Sequence, residues 1–209
     1  MILHGYFRSS AAWRVRIVLG LKGLTTDSRY QHLRKGEQLS QEYLAVNPQG
    51  LLPSLVLDDG TVLTQSLAIC EYLNEVQPDP PLLPSDPAAR AQIRGFAQAI
   101  ACDIHPLQNL RVLKALAGLG QTPDQTQDWA RTVISNGFDA LERLVVDRPG
   151  PFAFGDSPTL ADVCLIPQMG NARRFGVELR WPRLEAIDAA CSALPAFAAA
   201  RPDVQPDAE

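Results

Sequence analysis

The residues best placed to do chemistry are two adjacent serines at a strand-to-helix junction. The run Tyr6-Phe7-Arg8-Ser9-Ser10-Ala11-Ala12-Trp13-Arg14-Val15-Arg16-Ile17-Val18-Leu19 ends an apolar strand and opens an amphipathic helix at once. The first turn of a helix carries four unpaired backbone N–H groups and a positive partial charge, which together favour an anion. Two hydroxyls at that point, beside Arg8, suit a thiolate or a carboxylate. The plainer role for Ser9 or Ser10 is an N-cap, which contributes about 1 kcal/mol to a helix.

The elements that must position these residues follow from periodicity and turn chemistry. Residues 1–7 are expected as a strand. Residues 10–22 are expected as a helix, with Trp13, Ile17 and Leu21 on one stripe and Gly23 at its end. A second strand is expected near 28–33 and a short helix over 40–46. Asn47-Pro48-Gln49-Gly50 is a turn, and Asp58-Asp59-Gly60 joins strands at 51–57 and 61–64 as a hairpin. A helix follows over 66–75. This order fits a small α/β domain with a mixed sheet.

Pro78, Pro80, Pro81, Pro84 and Pro87 then crowd into ten residues and mark a linker. Beyond it, residues 88–116, 124–144, 160–174 and 184–200 all carry helical spacing and no persuasive strand. The fold class is therefore α+β: a mixed-sheet domain over 1–80 and an all-helical domain over 87–209. The tail from 201 onward is expected to be loosely held.

Bulk properties narrow the function. The 209 residues are 46% apolar and 20% charged, enough for a real core, and the net charge is −4. That balance argues against nonspecific nucleic-acid or anionic-membrane binding, which needs a basic surface. Cys70, Cys102, Cys164 and Cys191 form no C-x-x-C pair and no zinc spacing, so neither a metal nor a dithiol redox centre is expected. The first three lie in apolar helical contexts and read as small buried hydrophobes in a reducing compartment. No leader-like segment or membrane-length apolar run is present, which points to the cytoplasm.

The order of elements and several motifs resemble the cytosolic glutathione transferases, whose first domain is thioredoxin-like. Asn47-Pro48 through Leu52-Pro53 resembles the segment whose proline follows a cis bond. Thr64-Gln65-Ser66-Leu67-Ala68-Ile69 resembles the step into a helix that binds the γ-glutamyl carboxylate, with Ser66 as N-cap. Ser9-Ser10 with Trp13-Arg14-Val15-Arg16, Asp103-Ile104-His105-Pro106-Leu107-Gln108-Asn109, Asp162 to Gln168 and Asn171-Ala172-Arg173-Arg174-Phe175 resemble the zeta class in particular. The resemblance covers essentially the whole chain. Zeta members are glutathione-dependent cis–trans isomerases of maleyl compounds in aromatic catabolism. One departure is Ala11, where the zeta motif usually carries a cysteine; the nucleophile must then come from glutathione.

The resemblance implies glutathione as cofactor and a small dicarboxylate as substrate. Ser9 corresponds to the activating serine, Ser10 assists or caps, and Arg8 stands at the helix mouth. Ser9, Ser10, Gln38, Leu52, Gln65, Ser66, His105 and Asn109 correspond to glutathione-binding positions. A free thiol has a pKa of about 8.5, so an activating site is needed to make a thiolate at neutral pH. Thiolate addition makes the cis double bond single; rotation and elimination leave it trans. The substrate is dianionic, so arginines should grip it. Arg8, Arg111 and Arg174 are the expected clamps, and Arg111 favours the shorter arm of maleylpyruvate, converted to fumarylpyruvate, over maleylacetoacetate. The same resemblance implies a homodimer.

Other classes remain open at this point. A glutathione-conjugating transferase shares the thiolate but wants a more apolar acceptor pocket. A thioredoxin-like oxidoreductase is opposed by the missing C-x-x-C. A non-catalytic member of the fold is opposed by intact Ser9, Gln65, Ser66 and Leu52-Pro53. Thr159-Leu160-Ala161-Asp162 is a capping box with a structural role, and Trp13, Trp129 and Trp181 are expected in packing.

Overall fold

The computed structural model describes all residues 1–209, which divide into two compact units. The first comprises Met1–Pro81 and Ser192–Glu209; the second comprises Leu82–Cys191.

In the first unit, β1 (Ile2–Gly5) leads into α1 (Ser10–Lys22), then β2 (Asp27–Tyr30), α2 (Gln41–Val46), β3 (Ser54–Val56), β4 (Val62–Thr64) and α3 (Ser66–Val76). The four strands form one sheet in the order β2-β1-β3-β4. β2 runs parallel to β1, whereas β3 is antiparallel to both β1 and β4. Leu3 pairs with Leu55, and Leu55 with Leu63. The strands are shorter than the sequence suggested, because residues 6–9 and 51–53 leave the ladder to form turns. The mixed sheet expected from the element order is the one found.

α1 is buried nearly all round. Ala12, Val15, Ile17 and Val18 are fully enclosed, since α1 packs on α3 and on α9 (Pro195–Ala199) of the same unit. Each such Val or Ile contributes roughly 1.5–3 kcal/mol by leaving water. A Cβ at Gly20 would lie 3.2 Å from Ala196 Cβ, so this glycine sets the close approach of α1 to α9. Gly23 ends α1 in the left-handed region at φ 63°, where glycine bears no steric cost.

The segment 201–209 is not loose. Asp207 Oδ2 accepts from Phe7 N at 2.8 Å, and Glu209 pairs with His32. Local patterns could not foretell this, because none reports a contact across 200 residues.

In the second unit α4 (Pro87–Gln98), α5 (Leu110–Gly118), α6 (Pro123–Val145), α7 (Leu160–Arg174) and most of α8 (Pro182–Ser192) form an all-helical body. The expected continuous helix over 88–116 is broken. Residues Ala99–Ile104 widen into a π-helical turn and His105–Gln108 tighten into a 3-10 turn. Pro106 is the cause: it has no N–H to donate, and its ring crowds the carbonyl one turn back. Likewise residues 184–200 split into α8 and α9, with Pro195 opening the latter. α7 matches its expected span, and its capping box is present, with Asp162 accepting from Thr159 N at 2.8 Å and from Ala153 N at 2.8 Å.

Two burial expectations fail. Cys102 is exposed, while Cys70, Cys164 and Cys191 are buried; Ile100 and Ile104 take the inward positions of that turn, and position 102, between them, falls on the opposite face. Trp129 is exposed and donates from its indole to Leu107 O at 2.8 Å, unlike the buried Trp13 and Trp181. No helix is long and apolar enough to cross a membrane.

Candidate active site

The turn Tyr6–Ser9 hands the chain from β1 to α1. Ser9 is the N-cap of α1: its Oγ accepts from Ala12 N at 3.2 Å, and its N–H bonds back to Tyr6 O at 2.9 Å. Ser10 is the first helical residue. Both serines are buried within the first unit. The plain capping role of Ser9 is thus real. It does not compete with anion binding, because the hydroxyl accepts one bond with a lone pair and keeps its proton to donate.

The turn is clamped from behind. Arg16 Nη2 donates to Phe7 O at 3.0 Å, and its Nε to Ala200 O at 3.1 Å. Burial pulls the Arg16 guanidinium down to about 10, and the neighbouring Asp207 carboxylate opposes that shift. Asp207 accepts from Phe7 N, so both polar groups of the Phe7 backbone are tied. Arg8, one residue on, is half-buried, with its guanidinium 4.9 Å from the Phe7 ring centroid.

The other candidates of the first unit gather on its loops. Leu52–Pro53 is a cis peptide, as the motif led us to expect; Asp79–Pro80 is a second one. The loop before β3 is held by Tyr43 Oη and Asn47 Nδ2, which donate to Leu51 O at 2.7 and 2.8 Å. Gln65, not Ser66, is the N-cap residue of α3. It is exposed and sits at φ 67°, while Ser66 is the first helical residue. The Ser66 hydroxyl therefore does not cap; it accepts from Arg14 Nη1 at 3.1 Å. A glutamine in the left-handed region is uncommon and marks a turn the surrounding structure enforces. Gln38 carries a buried Oε1 with no hydrogen-bond partner. An orphaned acceptor of that kind fits a ligand with N–H groups, as the peptide glutathione has.

In the second unit, Asn109 is the N-cap of α5, its Oδ1 accepting from Val112 N at 3.1 Å. Arg111 follows in the first turn, exposed, and His105 lies on the 3-10 turn before it. Arg174 ends α7, its Nη2 donating to Asn171 Oδ1 at 2.9 Å and its guanidinium 4.8 Å from the Phe175 ring. A buried polar group not anticipated from sequence lies nearby in chain terms. Gln108 Nε2 donates to Gln168 Oε1 at 3.3 Å, and Gln108 Oε1, Gln168 Nε2 and Asn171 Nδ2 have no partners. The signal was available in the quoted motifs, where glutamine or asparagine recurs at otherwise apolar helix positions. No cluster of three or more His, Cys, Asp or Glu is arranged for a metal ion.

A thioredoxin-like sheet whose first helix starts at a serine, followed by an all-helical body, defines the class. The chain belongs to the glutathione S-transferase family: residues 8–76 match the model of its N-terminal domain and residues 87–199 that of its C-terminal domain. Among individual proteins it is 46% identical to a maleylacetoacetate isomerase of Pseudomonas aeruginosa, over 99% of this chain and 98% of the relative. It superposes with a TM-score of 0.97 on the holo structure of a maleyl pyruvate isomerase, a bacterial glutathione S-transferase of the zeta class. The two are 44% identical, and all of both chains is covered. A maleylacetoacetate isomerase from Anaeromyxobacter dehalogenans 2CP-1, solved with bound dicarboxyethyl glutathione and citrate in its active site, gives 45% identity and a TM-score of 0.88. That match covers 100% of this chain and 93% of the other.

Proposed function

We propose that this protein is a glutathione-dependent cis–trans isomerase that converts maleylpyruvate to fumarylpyruvate, with maleylacetoacetate as the second reading. The observation that carries it is Ser9 at the N-terminus of α1, buried and hydrogen-bonded, on a turn whose backbone is tied at Phe7. When bound, glutathione supplies a thiol that adds to, and then leaves, the maleyl double bond.

The chain's own residues do the rest. Ser9 Oγ and the free N–H groups at the start of α1 stabilise a thiolate and so lower the thiol pKa. Ser10 shares that turn and assists. Gln38 and Leu52 receive the peptide portion, Gln65 and Ser66 its γ-glutamyl end, and His105 and Asn109 contribute hydrogen bonds. Arg8, Arg111 and Arg174 bind the carboxylates of the substrate; guanidinium keeps its charge at any working pH and presents a fork that fits carboxylate. A diacid gripped at both ends keeps its charged groups in place while the central bond turns. The relatives that carry this activity by name support the assignment, and Ala11 fits it, because the thiol is brought by the ligand. We further propose that it is a cytoplasmic homodimer, which light scattering and fractionation test.

The test is the ultraviolet change of maleylpyruvate with purified protein. Conversion to the trans isomer that requires glutathione supports the assignment. If maleylacetoacetate turns over at least tenfold faster, the second reading replaces the first. Inertness toward both, with conjugation of electrophilic acceptors, makes the protein a conjugating transferase.

A further inference from the structure

Arg14 is 1% exposed and is among the largest wholly buried side chains of the molecule. Its Nη1 donates to Ser66 Oγ at 3.1 Å, but its Nε and Nη2 have no partner at all. No carboxylate pairs with it. A guanidinium cannot shed its proton to escape burial, so an enclosed and uncompensated one is costly. It also meets the first turn of α3, an eleven-residue helix that begins at Ser66. That turn adds a positive partial charge of its own. Two sources of positive potential therefore converge on one hydroxyl, and nothing in the chain neutralises them.

We propose that Arg14 is a positioning residue for an anion bound at the start of α3, acting through Ser66. This rests on the reading that the protein binds glutathione, in which case the anion is the carboxylate of the γ-glutamyl residue. Two effects follow from the geometry. Because Ser66 Oγ accepts from Arg14, the serine's single proton is turned away from Arg14 and is available to donate to the ligand. The unbalanced buried charge then attracts the carboxylate, in a setting where water screens little. The bare protein bears the cost of the buried cation, and binding relieves it. A residue retained only for packing would be served better by an apolar side chain of the same length, since exchanging buried ionic groups for well-packed hydrophobes is often neutral or stabilising.

The experiment compares wild type, Arg14→Met and Arg14→Lys by isothermal titration with two ligands. One is glutathione; the other is 4-aminobutyryl-cysteinylglycine, which lacks only the γ-glutamyl carboxylate. Failure of the wild type to bind glutathione would refute the functional reading itself and is seen before any variant is compared. Given binding, Arg14→Met is expected to weaken glutathione at least tenfold while leaving the decarboxylated peptide within twofold. Its melting temperature should be unchanged or higher. Arg14→Lys, which keeps the charge, should recover discrimination between the two ligands to within threefold of wild type. Equal losses for both ligands, no loss for either, or an Arg14→Met protein that melts lower or fails to fold would make Arg14 a structural residue and overturn the proposal.

Discussion

Asp207 and Phe7 are 200 positions apart in the chain, yet the Asp207 carboxylate accepts the Phe7 backbone N–H at 2.8 Å. With Arg16 holding Phe7 O from the other side, the strand-to-helix turn that ends at Ser9 is fixed by a tail and by a helix of the same unit. The turn's hydrogen bonds are thus made outside the sheet ladder.

Asp207→Ala is expected to leave that N–H unsatisfied and to cost about 1–3 kcal/mol in urea unfolding. Looser support for Ser9 should also lower kcat for isomerisation more than it changes KM. Asp207→Asn, which retains an acceptor oxygen, should recover most of both losses. Wild-type stability and kcat in Asp207→Ala would show that the turn holds itself.

Arg111 stands exposed on the first turn of α5. Arg111→Ala should raise KM for maleylpyruvate at least tenfold and leave the Kd of glutathione within twofold. A neutral ester analogue of the substrate should show little change between wild type and variant. Equal effects on the acid and the ester would remove Arg111 from carboxylate recognition.

Asp162 is wholly buried, and its carboxylate accepts from Ala153 N, Thr159 N and Thr159 Oγ1. Burial pushes its carboxyl above the usual range, and the three donors oppose that shift. Asp162→Ala should destabilise the protein by more than about 3 kcal/mol, because it strands several buried donors at once. The midpoint of chemical denaturation reads this directly, with a loss below about 1 kcal/mol as the contrary result. Any glutathione bound by the folded fraction should keep its wild-type affinity.

The legible parts of the fold were those written in local chemistry. Ser9 before a run of helical apolar spacing, closed by Gly23, gave α1 to the residue, although the helix is buried nearly all round rather than on one face, and Thr159 with Asp162 gave the start of α7. Breaks in helices were harder to see, because apolar spacing continues through Pro106 and Pro195 while the backbone does not. Ser66 could not be separated from Gln65 as the cap, since the φ of 67° at Gln65 is imposed by its surroundings rather than by its side chain. Arg8, Arg14 and Arg16 lie within nine consecutive residues of the sequence. Three-dimensional packing separates them: Arg14 is enclosed, Arg16 braces a turn, and Arg8 lies half-exposed beside the serines. Charge alone in a sequence does not report which of three arginines is surrounded.

The central claim is that Ser9, at the N-terminus of α1, turns a bound thiol into a thiolate. Ultraviolet titration of the thiolate in the glutathione complex tests it most directly, in wild type and in Ser9→Ala. The account predicts a wild-type midpoint well below the free-thiol value of about 8.5, moving up by at least one pH unit in Ser9→Ala while glutathione still binds. Identical midpoints in the two proteins would contradict it.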